Sequence, residues 1–278
     1  MLEQSLSFFV NWFSNPSFGA MALAVGIGLI WYVMYGPPLR GYAFVWAIAA
    51  ISAVLTLLAI VIVQIPLQNL TGQLLSRAFD QATLMKWLYI LGLPQILLSG
   101  FVQEAAKLVP VLFVWNRTER YLDPKVGLIA GAAAGLGFGV FEAMWVLNQI
   151  FASGWTWAAV QAAGFAGFLG VWERIFTVGG HIAFSALAAY GLARERGWLF
   201  YLFAALLHSA MNYTVVLLQA QLITTTAVEI LIALVAVAAT AWALFLRHTG
   251  ERAPWAGGGY RRRLHLGKEP KEYITKNE

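Results

Sequence analysis

The sequence has no cysteine, and its only two aspartates, Asp80 and Asp123, fall in loops between long apolar runs. The first absence excludes a disulfide scaffold, a thiolate metal site and a cysteine nucleophile. The second excludes a membrane protease built on two buried aspartates. Charge is scarce as well. Only 11% of the 278 residues are charged, where a soluble domain carries about a quarter, so this chain cannot cover a water-facing surface. No H-E-x-x-H helix and no G-x-S-x-G elbow occurs. Gly135-Leu-Gly-Phe-Gly139 lies inside an apolar run with no strand before it, which excludes a nucleotide-binding loop. No repeat and no matched pair of interrupted helices is visible in the two halves, which counts against an inverted-repeat transporter.

What is abundant is hydrophobic length: 60% of residues are hydrophobic and the mean hydropathy is +0.70. A helix needs about 20 apolar residues to cross a bilayer core. Runs of that order predict spans at 18–35, 42–65, 87–115, 126–150, 171–193, 197–219 and 226–247. The expected fold class is an all-α polytopic membrane protein of about seven transmembrane helices. Residues 1–247 form one transmembrane domain with a four-helix core at about 87–219, and 248–278 form a basic cytoplasmic tail.

The net charge of +5 and pI of about 9.5 fit the positive-inside pattern better than a nucleic-acid partner. Arg40 lies in the first loop, Arg117, Arg120 and Lys125 in the third, and Arg194 and Arg196 in the fifth. The tail adds Arg252, Arg261, Arg262, Arg263, Lys268, Lys271 and Lys276, while the fourth and sixth loops hold no Lys or Arg. Only Arg77 and Lys86 in the second loop break the alternation. The expected arrangement is an integral protein of a bacterial or archaeal plasma membrane, N-terminus outside and C-terminus cytoplasmic. Met1-Leu-Glu-Gln lacks the basic start of a signal peptide, so the mature chain is expected to begin there. Residues 1–17, with Phe8, Phe9, Trp12 and Phe13, suggest an interfacial helix. Residues 154–170 suggest a lid or re-entrant piece, since an eighth crossing there would invert the basic loops.

Ionisable groups at mid-membrane cost about 2.5–3.5 kcal/mol each on insertion scales and usually mark function. Glu104 and Lys107 fall on the third span, Glu142 on the fourth, Glu173, Arg174 and His181 on the fifth, and His208 with Asn212 on the sixth. Glu104, His181 and His208 sit near the middle third, with Glu142 there or slightly outward. Glu104 and Lys107 meet at i,i+3, and His208 and Asn212 share a face at i,i+4. Gly131, Gly135 and Gly139 form a small-residue stripe that Glu142 continues, favouring close helix approach. Glu173 and Arg174, near the outer boundary, are expected to snorkel or to pair with each other. A glutamate–lysine ion pair and interhelical polar contacts account for single members of this set. They do not account for two histidines and two glutamates on four helices at one depth. Two chemistries remain open. In one, a glutamate activates water and a histidine with an asparagine amide stabilises the oxyanion. In the other, His181, His208 and Glu142 bind a metal such as zinc with an open water position.

Four ordered motifs, Gln103-Glu104-Ala-Ala-Lys107, Gly135-Leu-Gly-Phe-Gly-Val-Phe-Glu142-Ala143, Glu173-Arg174 with His181-Ile-Ala-Phe-Ser185, and His208-Ser-Ala-Met-Asn212, resemble the YhfC and PrsW families of bacterial intramembrane proteases. These belong to a superfamily with the CAAX-processing and bacteriocin-immunity proteins. The resemblance covers about residues 95–220. It implies Glu104 as the water-activating base, His181 and His208 as site histidines, Asn212 beside His208, and Glu142 as the second-motif glutamate. Two positions depart from the pattern: Gln103 stands where the first motif often has an acid, and Ala143 where PrsW often has asparagine. The implied function is intramembrane endopeptidase, acting on a membrane-embedded or membrane-proximal peptide. A silent scaffold or chaperone, as in the gamma-secretase scaffold subunit of the same superfamily, is the first alternative. A proton-coupled transporter is the second.

The cysteine-free sequence makes the topology directly testable. A membrane-impermeant maleimide added to intact cells should label Ser153→Cys in the fourth loop and leave Arg120→Cys in the third unlabelled until the cells are opened. The reverse pattern inverts the orientation.

Overall fold

The computed structural model describes residues 16–37 and 43–249, and these are helical almost throughout. The expected interfacial helix at 1–17 and the tail beyond Thr249 lie outside the described residues, apart from Pro16 and Ser17. Among the described residues, six helical segments are long and apolar enough to cross a membrane: Ala43–Ala78, Leu88–Arg117, Pro124–Ala152, Trp157–Ala193, Gly197–Gln219 and Thr225–Thr249. The seventh expected segment, α1 (Phe18–Val33), has 16 residues, which is about 24 Å of helix against a hydrocarbon core of about 30 Å.

The second segment is longer than hydropathy suggested. α2 (Ala43–Ala59) passes through a π-helical turn at Ile60–Gln64 into α3 (Ile65–Ala78), so the expected loop after residue 65 is largely helix. Asp80 then caps α4 (Gln81–Lys86), its carboxylate accepting from the Thr83 amide at 2.7 Å. That bond favours the charged carboxylate and lowers its pKa. α5 (Leu88–Leu91) and α6 (Leu93–Arg117) meet at Gly92.

α7 (Pro124–Ala152) starts with proline in its first turn and Asp123 at the N-cap, accepting from Lys125 and Val126 amides. Residues 154–170 make no eighth crossing. They form α8 (Trp157–Ala163) and a 3-10 turn (Gly164–Phe168) that runs into α9 (Leu169–Ala193). The Trp155 indole donates to the Gly167 carbonyl at 2.8 Å and pins this approach segment. α10 (Gly197–Gln219) and α11 (Thr225–Thr249) complete the bundle.

α7 and α9 are the innermost pair. Their crossing windows are 78% and 83% buried, against 39–50% for the other spans. Small residues make this contact possible. A Cβ on Gly131 would run into the Ser185 carbonyl oxygen, and one on Gly135 into the His181 carbonyl oxygen. Lipid tails offer no hydrophobic drive between helices, so such backbone-close packing is what holds them. Hydrogen bonds lock the outer helices to the pair. The Trp31 indole donates to Ile175 O at 2.8 Å, and buried Ser52 Oγ donates to Ala134 O at 2.8 Å. Tyr201 donates to Phe101 O at 2.9 Å, fixing α10 on α6.

Gly135→Val should therefore lower stability by about 2–3 kcal/mol, read as an earlier unfolding midpoint in detergent. Gly26→Val, where an added Cβ meets nothing within 4 Å, should leave it unchanged.

Candidate functional site

The site is centred on Glu104, on the twelfth position of α6, with no exposed surface. Its carboxylate draws donors from three helices. Lys107, one turn along α6 and equally buried, gives its ammonium to Oε1. His208 on α10 reaches the same oxygen through Nδ1 at 2.7 Å. Ser185 on α9 donates to Oε2 at 3.1 Å. A carboxylate has about four lone-pair positions, so three are taken.

His181 lies between this carboxylate and a second one. Its Nδ1 is 3.0 Å from Lys107 Nζ, and its Nε2 is 2.9 Å from Glu142 Oε2 on α7. An ammonium on one side and a carboxylate on the other fix the tautomer. The ring carries its proton on Nε2 and presents the Nδ1 lone pair inward. His208 is arranged the opposite way, donating from Nδ1 to Glu104, so its Nε2 lone pair is the free one. The two rings meet edge to face with centroids 4.9 Å apart, and Phe138 closes on His181 at 5.2 Å. Gly139 leaves room for this, since a Cβ there would stand 3.1 Å from the His181 Cβ.

Arg174 forms an outer layer. It is 7% exposed and joins Glu142 at 3.4 Å to Glu173 at 2.5 Å. The expected pairing of Arg174 and Glu173 is thus present. The i,i+7 relation of Arg174 and His181 has a concrete meaning, because both side chains reach the same Glu142 oxygen.

The structure brings Glu104, Lys107, His181, His208 and Glu142 into one hydrogen-bonded group. Asn212 stands beside this group, donating to Ser99 Oγ at 3.0 Å and not to Glu104 or His208. The metal-ligand set expected from the sequence was His181, His208 and Glu142. The donors that converge are instead those of Glu104, His181 and His208, one atom from each lying within 4.8 Å of the others. Of the two histidines Glu142 touches only His181, at Nε2, where it orients the ring. Two imidazoles and one carboxylate are a donor set that catalytic zinc accepts, so the residues fit a metal. Lys107 Nζ rests on two of those three residues, and a metal bound there has to displace its ammonium.

Sequence reasoning missed several members. Ser185 is one turn from His181 on the same face, a legible spacing that went unused. Ser99 is one turn before Gln103 on α6, a spacing that puts both on one face. Glu229, the fifth residue of α11, is 7% exposed with one carboxylate oxygen unpaired. It fell inside a predicted span and was an ionisable residue to be explained.

Breaking a buried ion pair on one side leaves an uncompensated charge and costs about 3–5 kcal/mol. Lys107→Met should destabilise the protein by that amount in detergent unfolding, and Lys107→Met with Glu104→Gln should recover most of it. An undiminished loss in the double variant would show that the pair is not the cause.

The family model for the PrsW family intramembrane metalloproteases matches residues 37–242. No curated protein and no solved structure matches. The match covers well over half of the chain, including all of α2 to α10 and every residue of the Glu104 group, and the chain belongs to the PrsW family of intramembrane metalloproteases.

Proposed function

We propose that this intramembrane protease hydrolyses a peptide bond of a membrane-embedded or membrane-proximal substrate with Glu104 at the centre of the reaction. The observation that carries this is the convergence of Glu104, His181 and His208 from three helices on one buried point. Glu104 takes a proton from water as the water oxygen bonds to the scissile carbonyl carbon. That proton then passes to the departing amine as the C–N bond breaks. The Lys107 ammonium and the His208 ring are the nearest donors to the carboxylate, and they would stabilise negative charge on the carbonyl oxygen. Asn212 would act beside this group, holding Ser99.

The metal in the family description would be held by Glu104, His181 and His208, and zinc suits that set. When bound, it supplies Lewis acidity at the scissile carbonyl. In this chain Glu142 would hold His181 in the ligand-ready tautomer, and Ser185 would hold the second oxygen of Glu104. The protein is oriented with its C-terminus in the cytoplasm, on the distribution of basic loops.

Glu104→Gln, His181→Ala and His208→Ala should each lower cleavage of a transmembrane reporter in proteoliposomes by at least about 100-fold while the protein stays folded. Full turnover in all three would remove this assignment. Altered partner capture without any turnover in wild type would mark a scaffold. In protein purified without chelator, stoichiometric zinc that disappears in the His181→Ala/His208→Ala variant would identify the metal route. Metal-free, active wild type would leave Glu104 acting alone.

A further inference from the structure

A row of side-chain amides leads from the half-buried start of α6 to the edge of the site, and its direction is fixed. The Gln95 backbone carbonyl can only accept, so the Gln68 carboxamide turns its Nε2 to it, at 2.8 Å. That leaves Gln68 Oε1 to accept from Gln64 Nε2 at 3.4 Å. Gln64 Oε1 then accepts from Gln103 Nε2 at 3.0 Å. Flipping any one amide would set oxygen against oxygen or nitrogen against nitrogen. The π-helical turn ending at Gln64 matters here. It inserts one residue into the helix, turning Gln64 and Gln68, one turn apart, onto α6.

The row ends on an atom with nothing to accept from. Gln103 Oε1 is buried, in a residue 6% exposed, and has no partner. Its own amide hydrogens are spent, one on Gln64 and one on Ser99 Oγ at 3.3 Å. Ser99 Oγ also accepts from Asn212 Nδ2 at 3.0 Å. With two bonds accepted, the Ser99 hydroxyl still has its proton to give. The junction of Gln103, Ser99 and Asn212 therefore offers an unused acceptor and an unused donor within one helical turn of His208. Low dielectric and aligned amides strengthen the pull of that terminal oxygen.

We propose that this junction is a water site: a single buried water donates to Gln103 Oε1 and accepts from Ser99 Oγ. Water is the small ligand that both gives and takes a hydrogen bond, and buried polar pockets with two or more partners hold it. The inference deepens the proteolytic assignment and rests on it for its purpose. A hydrolase enclosed in a bilayer needs water beside its base, and this site stores it one turn from the Glu104–His208 bond. The exchange of acid for amide at position 103 gains meaning from this. A carboxylate could not donate to both Gln64 and Ser99, so the amide is what orients the row and leaves the oxygen free.

The test is water-to-amide magnetisation transfer in solid-state NMR of the full-length protein in liposomes, with glutamine and alanine labelled by 15N. The Gln103 side-chain signal is assigned by its loss in Gln103→Met or, should that variant not fold, in Gln103→Glu. The expected result is transfer to the Gln103 carboxamide at the short mixing times that light up half-buried Gln68. The backbone amides of Ala132 and Ala186, both with no exposed surface, should build up only later. Gln103 building up as slowly as those two alanines overturns the proposal. The readout does not depend on turnover. Slow transfer in a protein that cleaves removes the water site and leaves proteolysis standing. Fast transfer in a protein that cleaves nothing removes proteolysis and leaves the water site.

Discussion

The whole arrangement depends on one constraint, a carboxylate buried away from bulk solvent. Glu104 has no exposed surface, and a bilayer supplies no solvent donors to replace those lost. Its hydrogen bonds must come from protein, and they come from its own helix and from α9 and α10. Each donor in turn is committed by what holds it. Lys107 is shared with His181, His181 with Glu142, and Glu142 with Arg174. The result is a line of alternating acceptors and donors in which no member can leave without orphaning its neighbour. The cost of burying this many polar groups is large, and a silent helical scaffold would be better served by apolar side chains.

Such a line can be held only if the helices carrying it do not drift. That is the office of the glycine stripe on α7. Gly131 and Gly135 bring the backbone of α9 into contact at Ser185 and His181 themselves, the residues of α9 that reach Glu104 and Lys107. Backbone contact tolerates little sliding, because a small shift turns contact into overlap. Packing and chemistry are thus set by the same few residues. His181 is positioned at its backbone by Gly135, along its side by Gly139 and Phe138, and at its two nitrogens by Glu142 and Lys107.

Much of this was legible in the sequence because a membrane makes depth readable. Glu104, His181 and His208 stood out as ionisable groups near the middle of apolar runs, and they converge. The i,i+3 contact of Glu104 with Lys107 followed from helical geometry. Azimuth was not readable. Depth alone could not say whether Glu142 or Glu104 would face both histidines, since that depends on how α6 and α7 are rotated about their axes. Nor could it foresee Gln64, whose facing is set by a π turn within an unbroken run of apolar residues. The extension of α2 into α3 was hidden for a related reason. Residues 66–78 include Gln68, Asn69, Thr71, Gln73 and Arg77, and low hydropathy looks like loop even where the backbone stays helical.

The polar groups also divide the bundle lengthwise. In antiparallel order, Ser99, Gln103 and Glu104 lie in the first half of α6, Glu142 in the second half of α7, Glu173 to His181 in the first half of α9, and His208 and Asn212 in the second half of α10. These all point to the same end of the molecule, where Glu229 also lies near the start of α11. Toward the other end, Val126–Leu136 of α7 and Ile182–Leu192 of α9 are buried without interruption and, apart from Ser185 and Tyr190, are apolar or glycine. One half of the bundle is a dry clamp closed on backbone contacts, and the other holds the hydrogen-bonded chemistry. The division follows from physics more than from convenience. Close packing through glycine leaves no volume for side chains that must find partners, whereas a polar network needs room for them. Glu104, His181 and Ser185 lie at the boundary, where the clamp is tight enough to fix them and the polar half supplies what they bind.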